Sequence, residues 1–318
     1  MKRAFVTGGS GFVGGALIEA LRGRGVEVVA LARSDDAAAK VMALGATVAR
    51  GDLDSVDVED LRGCDVVFHS AALTKEHGTL AEHRKVNVEG TRAMVEAAQR
   101  ASVPRFVHVS TEAVLADGHP ILRADENVPY PARPAGPYPI SKGEAERVVL
   151  AANRADFATV IIRPRFIWGA GDTSVLPQIV EMVKRGRFAW IGGGHHLTST
   201  CNVANVVEGA LLAAERGAPG EIYFLTDGAP VEFRAFLTKL LATRGVTARE
   251  RTVPKWVARL VAATTAWMRT PPVTKTAIAL VGHEVTVVDD KARTQLGYAS
   301  RVSIDEGLAR MQTPSVSS

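Results

Sequence analysis

The feature that most constrains the fold is an alternation of short apolar runs with segments of helical periodicity along the first half of the 318-residue chain. The runs are rich in β-branched residues and lack a polar face, so each predicts a strand buried on both faces. They are AFVTG (4–8), VEVVALA (26–32), TVARGD (47–52), DVVFHSAA (65–72), FVHVST (106–111) and ATVIIRP (158–164). Strands that alternate with helices form parallel sheets, so the chain is predicted to be α/β with a doubly wound parallel sheet.

The first predicted strand runs into the sequence TGGSGFVG at residues 7–14, which predicts a phosphate-binding turn. In such a turn the first glycine permits the sharp bend, the second lets the backbone approach a pyrophosphate, and the third lets helix and strand pack closely. The amides at the start of the following helix complete the anion site. We therefore predict a Rossmann fold that binds a dinucleotide through Gly8, Ser10, Gly11, Phe12, Val13 and Gly14.

The end of the second predicted strand bears on which coenzyme is bound. An acidic residue there would bind the ribose 2′-hydroxyl of NAD, whereas this chain has Arg33, whose planar donors suit a 2′-phosphate. Lys40 is a second candidate cation, while Asp35 and Asp36 would repel a phosphate if they faced it. The prediction is NADP, with NAD as the alternative.

The strand–helix rhythm loosens in the second half of the chain, which suggests two parts. Residues 1–168 are predicted to form the dinucleotide-binding domain, with residues 199–226 returning to it. Residues 169–198 and 227–311 are predicted to form a smaller C-terminal substrate lobe, and residues 312–318 a flexible tail.

Tyr138 and Lys142 stand four residues apart in YPISK, ahead of a helical run predicted over 141–153. Residues with this spacing share a helix face. An ammonium beside a phenol favours the phenolate, so we expect Lys142 to lower the pKa of Tyr138. Such a tyrosine can exchange a proton with an alcohol or a ketone as hydride is transferred. Tyr130 has Pro134 at the same spacing and therefore no such partner.

The chain resembles the extended short-chain dehydrogenases/reductases. The resemblance rests on TGGSGFVG, GD (51–52), FHSAA (68–72), VNVEGT (86–91), HVSTEAV (108–114), YPISKGEAE (138–146) and RPRFIWGAGD (163–172). It implies that Tyr138 and Lys142 are the catalytic pair and that Thr111, with Ser110 as the fallback, binds the substrate oxygen. Asn87 matches a structural or proton-relay asparagine of that family. The resemblance further implies cofactor contacts from Tyr138, Lys142, Asp52, Leu53, Ala71, Ala72, Arg163 and Pro164.

Within that family the second half is most similar to the 3β-hydroxysteroid dehydrogenase and sterol-4-carboxylate 3-dehydrogenase branch. Nucleotide-sugar epimerases usually carry an asparagine where this chain has Phe166. The resemblance implies an oxidoreductase that interconverts a secondary alcohol and a ketone on an apolar substrate, either a sterol or a long-chain β-hydroxy or β-keto acid. Leu73, Phe166, Trp168 and His195 are candidate pocket residues. A nucleotide-sugar epimerase or dehydratase and a non-catalytic NADP sensor remain as alternatives.

Net charge, cysteine usage and hydropathy indicate which partners, metals and cellular locations are expected. The net charge of +4 comes without a Lys/Arg block, so no nucleic-acid partner is expected. Cys64 and Cys201 lack metal-ligand spacing, so no metal is predicted, and two lone thiols fit a cytoplasmic protein. No apolar run is long enough to span a membrane, although residues 253–268 leave peripheral membrane contact as an alternative. A homodimer is expected from the family resemblance alone.

Overall fold

The structure, a computed structural model, describes residues 1–74, 78–265, 267–268 and 271–312. The predicted tail falls outside this range except for Gln312. In chain order the strands are β1 (Arg3–Thr7), β2 (Glu27–Ala32), β3 (Thr47–Arg50), β4 (Val66–His69), β5 (Arg105–Val109), β6 (Ile121–Ala124), β7 (Ala158–Pro164), β8 (Ile167–Trp168), β9 (Trp190–Ile191), β10 (Leu197–Thr198), β11 (Cys201–Asn202), β12 (Glu221–Leu225), β13 (Val231–Glu232), β14 (Thr252–Val253) and β15 (Val285–Val287). The α-helices are α1 (Phe12–Gly23), α2 (Asp35–Ala43), α3 (Val58–Leu61), α4 (Leu80–Arg84), α5 (Gly90–Arg100), α6 (Pro137–Ala151), α7 (Val175–Lys184), α8 (Val203–Arg216), α9 (Phe233–Ala242), α10 (Lys255–Thr264), α11 (Lys275–Val281) and α12 (Ile304–Gln312).

A seven-stranded parallel sheet with the order β12-β7-β5-β4-β1-β2-β3 forms the centre of the molecule. Residues of α1, α2 and α8 pack on one face, and residues of α3, α5 and α6 on the other. The strands are apolar on both faces because both faces are covered. The predicted doubly wound α/β fold is confirmed.

The order of the strands reverses between β1 and β4, so the chain leaves the carboxyl ends of these strands in opposite directions. In open α/β sheets this crevice is where ligands bind. The turn after β1 and the loop after β4 both lie there. The fold thus places the glycine-rich turn at the sheet edge where a dinucleotide is expected.

The second half contributes both to this sheet and to a separate lobe. Residues 221–225 form β12 at the sheet edge, and α8 packs against β7. A smaller sheet, β13-β10-β15-β6, and an aromatic core that includes Trp168, Trp190 and Phe236 make up the lobe. The predicted domain boundaries stay a prediction.

Two local features differ from the sequence prediction. Helix α6 begins at Pro137, four residues earlier than the predicted residue 141, after Gly136 with φ 112°. Proline suits the first helical turn because its missing N–H has no helical partner there. Helical periodicity over 79–99 predicts one helix, but the structure has a π-helical turn at Lys85–Glu89, between α4 and α5. Such turns are frequent at functional sites, and this one carries Asn87.

Candidate active site

The glycine-rich turn leaves no room for side chains at two of its positions. Gly8 has φ 70°, and a Cβ there would lie 2.8 Å from the Ala71 nitrogen. A Cβ on Gly14 would lie 2.2 Å from the Gly8 carbonyl oxygen. Helix α1 begins without a side-chain cap, so its first amides are free to bind an anion. This backbone cradle fits the pyrophosphate of a dinucleotide, with Ser10 and Gly11 exposed at its mouth.

The ends of β2 and β3 lie side by side where the ribose of the adenosine half is expected. Arg33 is exposed, and its guanidinium is 3.8 Å from the Asp52 carboxylate. Asp35 pairs with Arg50 at 2.9 Å, which partly neutralises the acidic start of α2. Lys40 is exposed on α2, while Leu53 is buried behind this loop. The predicted phosphate partners are therefore accessible, but Arg33 has a carboxylate close to it.

Asn87 holds the loop after β4 against helix α6. Its side-chain oxygen accepts the Leu73 amide at 2.7 Å, and its amide donates to the Leu73 carbonyl at 3.1 Å and the Ser141 hydroxyl at 3.0 Å. Ala71 and Ala72, which precede Leu73, are partly buried beside the glycine turn. The polar atoms of the Asn87 side chain are therefore occupied in holding Leu73 and Ser141 in place. This arrangement favours the structural role of Asn87 over a proton relay.

Thr111 and Tyr138 come together at the end of β5 and the first turn of α6. Burial raises the pKa of the Tyr138 phenol, the neighbouring Glu112 carboxylate raises it further, and hydrogen bonding with Thr111 partly offsets both. The expected lowering of this pKa by Lys142 is wrong for the structure, because burial and a negative neighbour dominate. Tyr138 therefore holds its proton through neutral and mildly alkaline pH.

Lys142 is buried and faces strand β5. Its ammonium donates to the Val109 carbonyl at 2.9 Å and lies 3.1 Å from His108 Nε2. Burial lowers the pKa of Lys142 to about 8, although Glu146 one helical turn later opposes this shift. An ammonium has three donors, so these two contacts leave one for a ligand.

Two histidines extend this buried polar group beneath the sheet edge. His69 and His108 are paired across β4 and β5, and their rings stack with centroids 5.3 Å apart. Burial, with Lys142 second, lowers the pKa of His69 to about 3 and that of His108 well below its usual range. Neutral His69 contacts the hydroxyls of Thr7 at 2.8 Å and Thr91 at 2.9 Å. His108 is thus a neutral acceptor for the Lys142 ammonium.

Glu112 is a buried carboxylate next to the hydroxyls of Thr111 and Tyr138. It accepts the Thr111 hydroxyl at 2.8 Å and pairs with Arg165 at 2.6 Å. Arg165 in turn donates to the Leu280 carbonyl at 2.6 Å and to the Thr198 hydroxyl at 3.2 Å, both in the lobe. Thr111 can turn its hydrogen to a substrate oxygen only by releasing Glu112.

Three predicted contacts need correction. Arg163 is buried and bonds Glu146 through two nitrogens, at 2.9 and 2.6 Å. It therefore supports helix α6 rather than the cofactor. Pro164 follows it in the sheet. Trp168 is fully buried with its indole N–H on Asp227, which makes it part of the core rather than the pocket wall. His195 is an exposed partner of Glu232. By contrast, Phe166 is partly buried, edge-on to Phe233 and Phe236, so it remains a candidate for the pocket.

Sequence reasoning missed His69, His108, Glu112 and Arg165. The two histidines had a detectable signal, because each is a polar residue within an otherwise apolar strand that must be buried on both faces. Glu112 and Arg165 carry no comparable signal, since their pairing joins positions 53 residues apart that only the fold brings together.

Taken together, the fold, the glycine turn and the Thr111–Tyr138–Lys142 group define an extended short-chain dehydrogenase/reductase. Proteins of this class act on CH–OH groups with a bound nicotinamide dinucleotide. The chain matches, and belongs to, the 3-beta hydroxysteroid dehydrogenase/isomerase family over residues 5–255. The predicted family is thereby confirmed.

Two relatives and one solved structure illustrate the match. The chain is 52% identical over 315 residues to 4-hydroxy-2-methyl-3-oxo-4-farnesyl-3,4-dihydroquinoline-1-oxide ketoreductase of Stigmatella aurantiaca, covering 96% of this chain and 94% of that protein. It is 32% identical to a decarboxylating sterol-4-alpha-carboxylate 3-dehydrogenase of Dictyostelium discoideum, covering 97% and 99%. The crystal structure of gox2253 superimposes with a TM-score of 0.78 at 27% identity, covering 98% of each chain.

Proposed function

We propose that this protein is an NADPH-dependent ketoreductase whose substrate is a ketone carrying a sterol-sized or longer apolar group. The observation that carries the proposal is the partly buried Tyr138 phenol beside the Thr111 hydroxyl, with its pKa raised by burial and by Glu112. A site that holds this proton at neutral pH suits reduction, in which the enzyme must donate a proton to the carbonyl oxygen.

The chain's own residues have distinct parts in this step. A bound nicotinamide supplies the hydride. Tyr138 donates its proton to the ketone oxygen, and Thr111 turns its hydroxyl from Glu112 to the same oxygen, which orients the carbonyl. Lys142, held by His108 and Val109, keeps one donor with which it would bind the coenzyme.

The nature of the substrate rests on the relatives and on the lobe. The name of the Stigmatella enzyme describes a ring ketone next to a carbon that bears a hydroxyl and a farnesyl chain. The name of the Dictyostelium enzyme describes a sterol with a carboxylate next to the reacting carbon. Both combine an oxygen substituent beside the carbinol position with a large apolar body. Partly buried Phe166, at the edge of the aromatic core, supports a similar apolar substrate here.

The choice of NADP is supported by Arg33, which is exposed at the end of β2 with Lys40 on the next helix. Arg33→Asp is expected to weaken NADPH binding by roughly ten- to a hundredfold, because a charge-assisted contact is worth about 1.5–3 kcal/mol, while NADH binding improves or stays unchanged. Titration of both coenzymes against both proteins measures this. Arg62→Gln, which changes an exposed arginine just before β4 at the opposite edge of the sheet, is the matched control. A wild-type protein that binds NADH more tightly than NADPH contradicts the coenzyme assignment.

The function is tested with a panel of prenylated heterocyclic ketones, long-chain β-keto acids, 3-keto sterols and nucleotide sugars, followed by NADPH absorbance and product analysis. We expect reduction of at least one apolar ketone and no turnover of a nucleotide sugar. Epimerisation of a nucleotide sugar would favour the epimerase alternative. Tight NADPH binding without turnover of any ketone would favour the sensor.

A further inference from the structure

Helix α10 and the residues after it carry two of the protein's four tryptophans on the surface. The side chains of Trp256 and Trp267 are 68% and 84% exposed, whereas Trp168 and Trp190 are buried. Exposed tryptophans of this size are unusual on a soluble surface and mark interaction sites. We call Trp256, Leu260, Trp267 and Met268, all of them exposed, the tryptophan stripe.

The stripe follows from the helical geometry of α10. Trp256 and Leu260 are four residues apart and therefore share one face. The Trp267 indole donates to the Thr264 carbonyl at 2.8 Å, which holds its ring against the last turn of the same helix. The other face buries Ala258 and Ala262 against α11. The apolar stripe is thus left over after α10 has already packed.

The sequence segment that carries the stripe is rich in cations. Residues 251–283 include five cations and contain no aspartate or glutamate; the cations are Arg251, Lys255, Arg259, Arg269 and Lys275. Two histidines near this segment have lowered pKa values. Burial, followed by Lys255 and Arg259, lowers the pKa of His283. Burial, followed by Lys255, lowers the pKa of His196 to about 4. The stripe therefore combines aromatic and cationic groups without a neutralising carboxylate in its own segment.

This combination decides between the two partners that could cover an apolar stripe. A second copy of the chain on the same stripe would bring Arg259 and its neighbouring cations close to their own copies, and like charges oppose such a contact. An anionic lipid surface offers phosphates to the cations and an interfacial zone that favours tryptophan. The charge pattern favours the lipid.

The stripe also belongs to the part of the lobe that adjoins the active site. Helix α10 packs against α11, and Thr276 of α11 donates to the Ala135 carbonyl at 2.6 Å. Ala135 immediately precedes Gly136, the residue before helix α6, whose first turn carries Tyr138.

From these observations we infer that the tryptophan stripe docks the protein peripherally on an anionic lipid surface, with the active-site lobe facing the bilayer. The docking is a property of the stripe and its cations and does not depend on the identity of the substrate. It differs from membrane spanning, for which no helix among the described residues is sufficiently long and apolar.

The test uses the full-length protein without substrate or coenzyme and vesicles of phosphatidylcholine, alone or mixed with phosphatidylglycerol. Because the other two tryptophans are buried, a blue shift of tryptophan emission on addition of vesicles reports the stripe. We expect the shift, and co-sedimentation, with the mixed vesicles and not with phosphatidylcholine alone, and we expect both to weaken as salt is raised. Brominated lipids should quench the emission of the unaltered protein.

The variant Trp256→Gln/Trp267→Gln is expected to bind mixed vesicles at least about tenfold more weakly, because interfacial binding scales with buried apolar area. Met42→Gln, at an exposed apolar residue of α2, is the matched control and should bind as the wild type does. Absence of binding to mixed vesicles, or equal binding by the double variant, overturns the inference. Conversion of a dimer to a monomer by the double variant, without vesicle binding, overturns it in favour of a contact between copies. Since vesicle binding needs no substrate, these outcomes are independent of the ketoreductase proposal.

Discussion

The pKa of Tyr138 depends on its environment, and side chains from several elements lie near it. Glu112, which follows β5, is a negative neighbour; Lys142 on α6 is positive but bonded to Val109 and His108; and the ring of His83 on α4 lies 6.3 Å away, edge-on. Burial is the largest cause of the raised pKa of Tyr138, and Glu112 adds to it. The outcome is a phenol that keeps its proton, and Glu112 is the neighbour that a substitution can test.

Glu112→Gln is expected to shift the rise of alcohol oxidation with pH to lower values, because the substitution removes a negative charge that raises the pKa of Tyr138. Oxidation needs the phenolate, whereas reduction needs the phenol. Initial rates in both directions across pH measure the change. An unchanged oxidation profile would mean that Glu112 does not act on Tyr138.

The same substitution leaves Arg165 buried without its carboxylate, which typically costs about 3–5 kcal/mol of folding stability. The double variant Glu112→Gln/Arg165→Met removes both charges and is the control. Its stability should exceed that of the single variant, while the pH shift persists. A shift that disappears in the double variant would be a consequence of the disturbed fold.

At the scale of elements, helix α1 offers two glycines in contrasting surroundings. A Cβ on Gly14 would lie 2.2 Å from the Gly8 carbonyl oxygen, whereas a Cβ on Gly23 would have no atom of the described residues within 4 Å. Gly14→Ala is expected to displace the turn and to weaken coenzyme binding by at least about tenfold, since the pyrophosphate site is made of that backbone. Gly23→Ala should bind coenzyme normally and stabilise the fold by up to about 1 kcal/mol. Calorimetric titration and thermal unfolding measure both, and equal coenzyme affinities in the two variants would contradict the predicted cradle.

The elements differ in how far the sequence predicts them. The sheet strands were predictable because burial on both faces demands continuous apolar runs, and β1 to β5 and β7 follow those runs. The start of α6 was not predictable in this way, because Pro137 and Pro139 suggest a loop unless proline's preference for the first helical turn is considered. The π-helical turn around Asn87 depends on tertiary hydrogen bonds to Leu73 and Ser141.

For the active site, the Tyr138–Lys142 pair was predicted because its spacing is one helical turn, whereas Thr111 was implied by the family resemblance. The sign of the pKa shift on Tyr138 was not predictable, since it depends on Glu112 and on burial, which only the folded chain shows. The burial of Trp168 in the core was also not predictable, because its hydrogen bond to Asp227 joins residues 59 positions apart in the chain.

At the scale of the whole molecule, the Glu112–Arg165 pair joins the sheet to the lobe through Leu280 and Thr198. The catalytic hydroxyls therefore lie where the two parts meet. A homodimer and a cytoplasmic location stay predictions.

The molecule is also expected to lose stability in mild acid because His69 and His108 are buried as neutral imidazoles. Their folded pKa values lie below the unfolded value of about 6.5, so stability is fully present above that pH. As the pH falls, the unfolded chain binds these protons first, and each histidine costs about 2 kcal/mol between pH 7 and 5. Urea unfolding at both pH values measures the loss.

His69→Gln should reduce the loss between pH 7 and 5 by about 2 kcal/mol, since His69 no longer contributes. His119→Gln, at an exposed histidine, should leave it unchanged. Equal slopes for the wild type and His69→Gln would show that His69 is not buried in its neutral form.

The donation of a proton by Tyr138 in ketone reduction is tested by single-turnover NADPH oxidation with Tyr138→Phe and a ketone that the wild type reduces. Phenylalanine keeps the ring and removes only the hydroxyl. We predict that the rate falls by about a hundredfold or more, while the NADPH dissociation constant changes by less than about threefold. A Tyr138→Phe protein that reduces the ketone at nearly the wild-type rate would contradict the account.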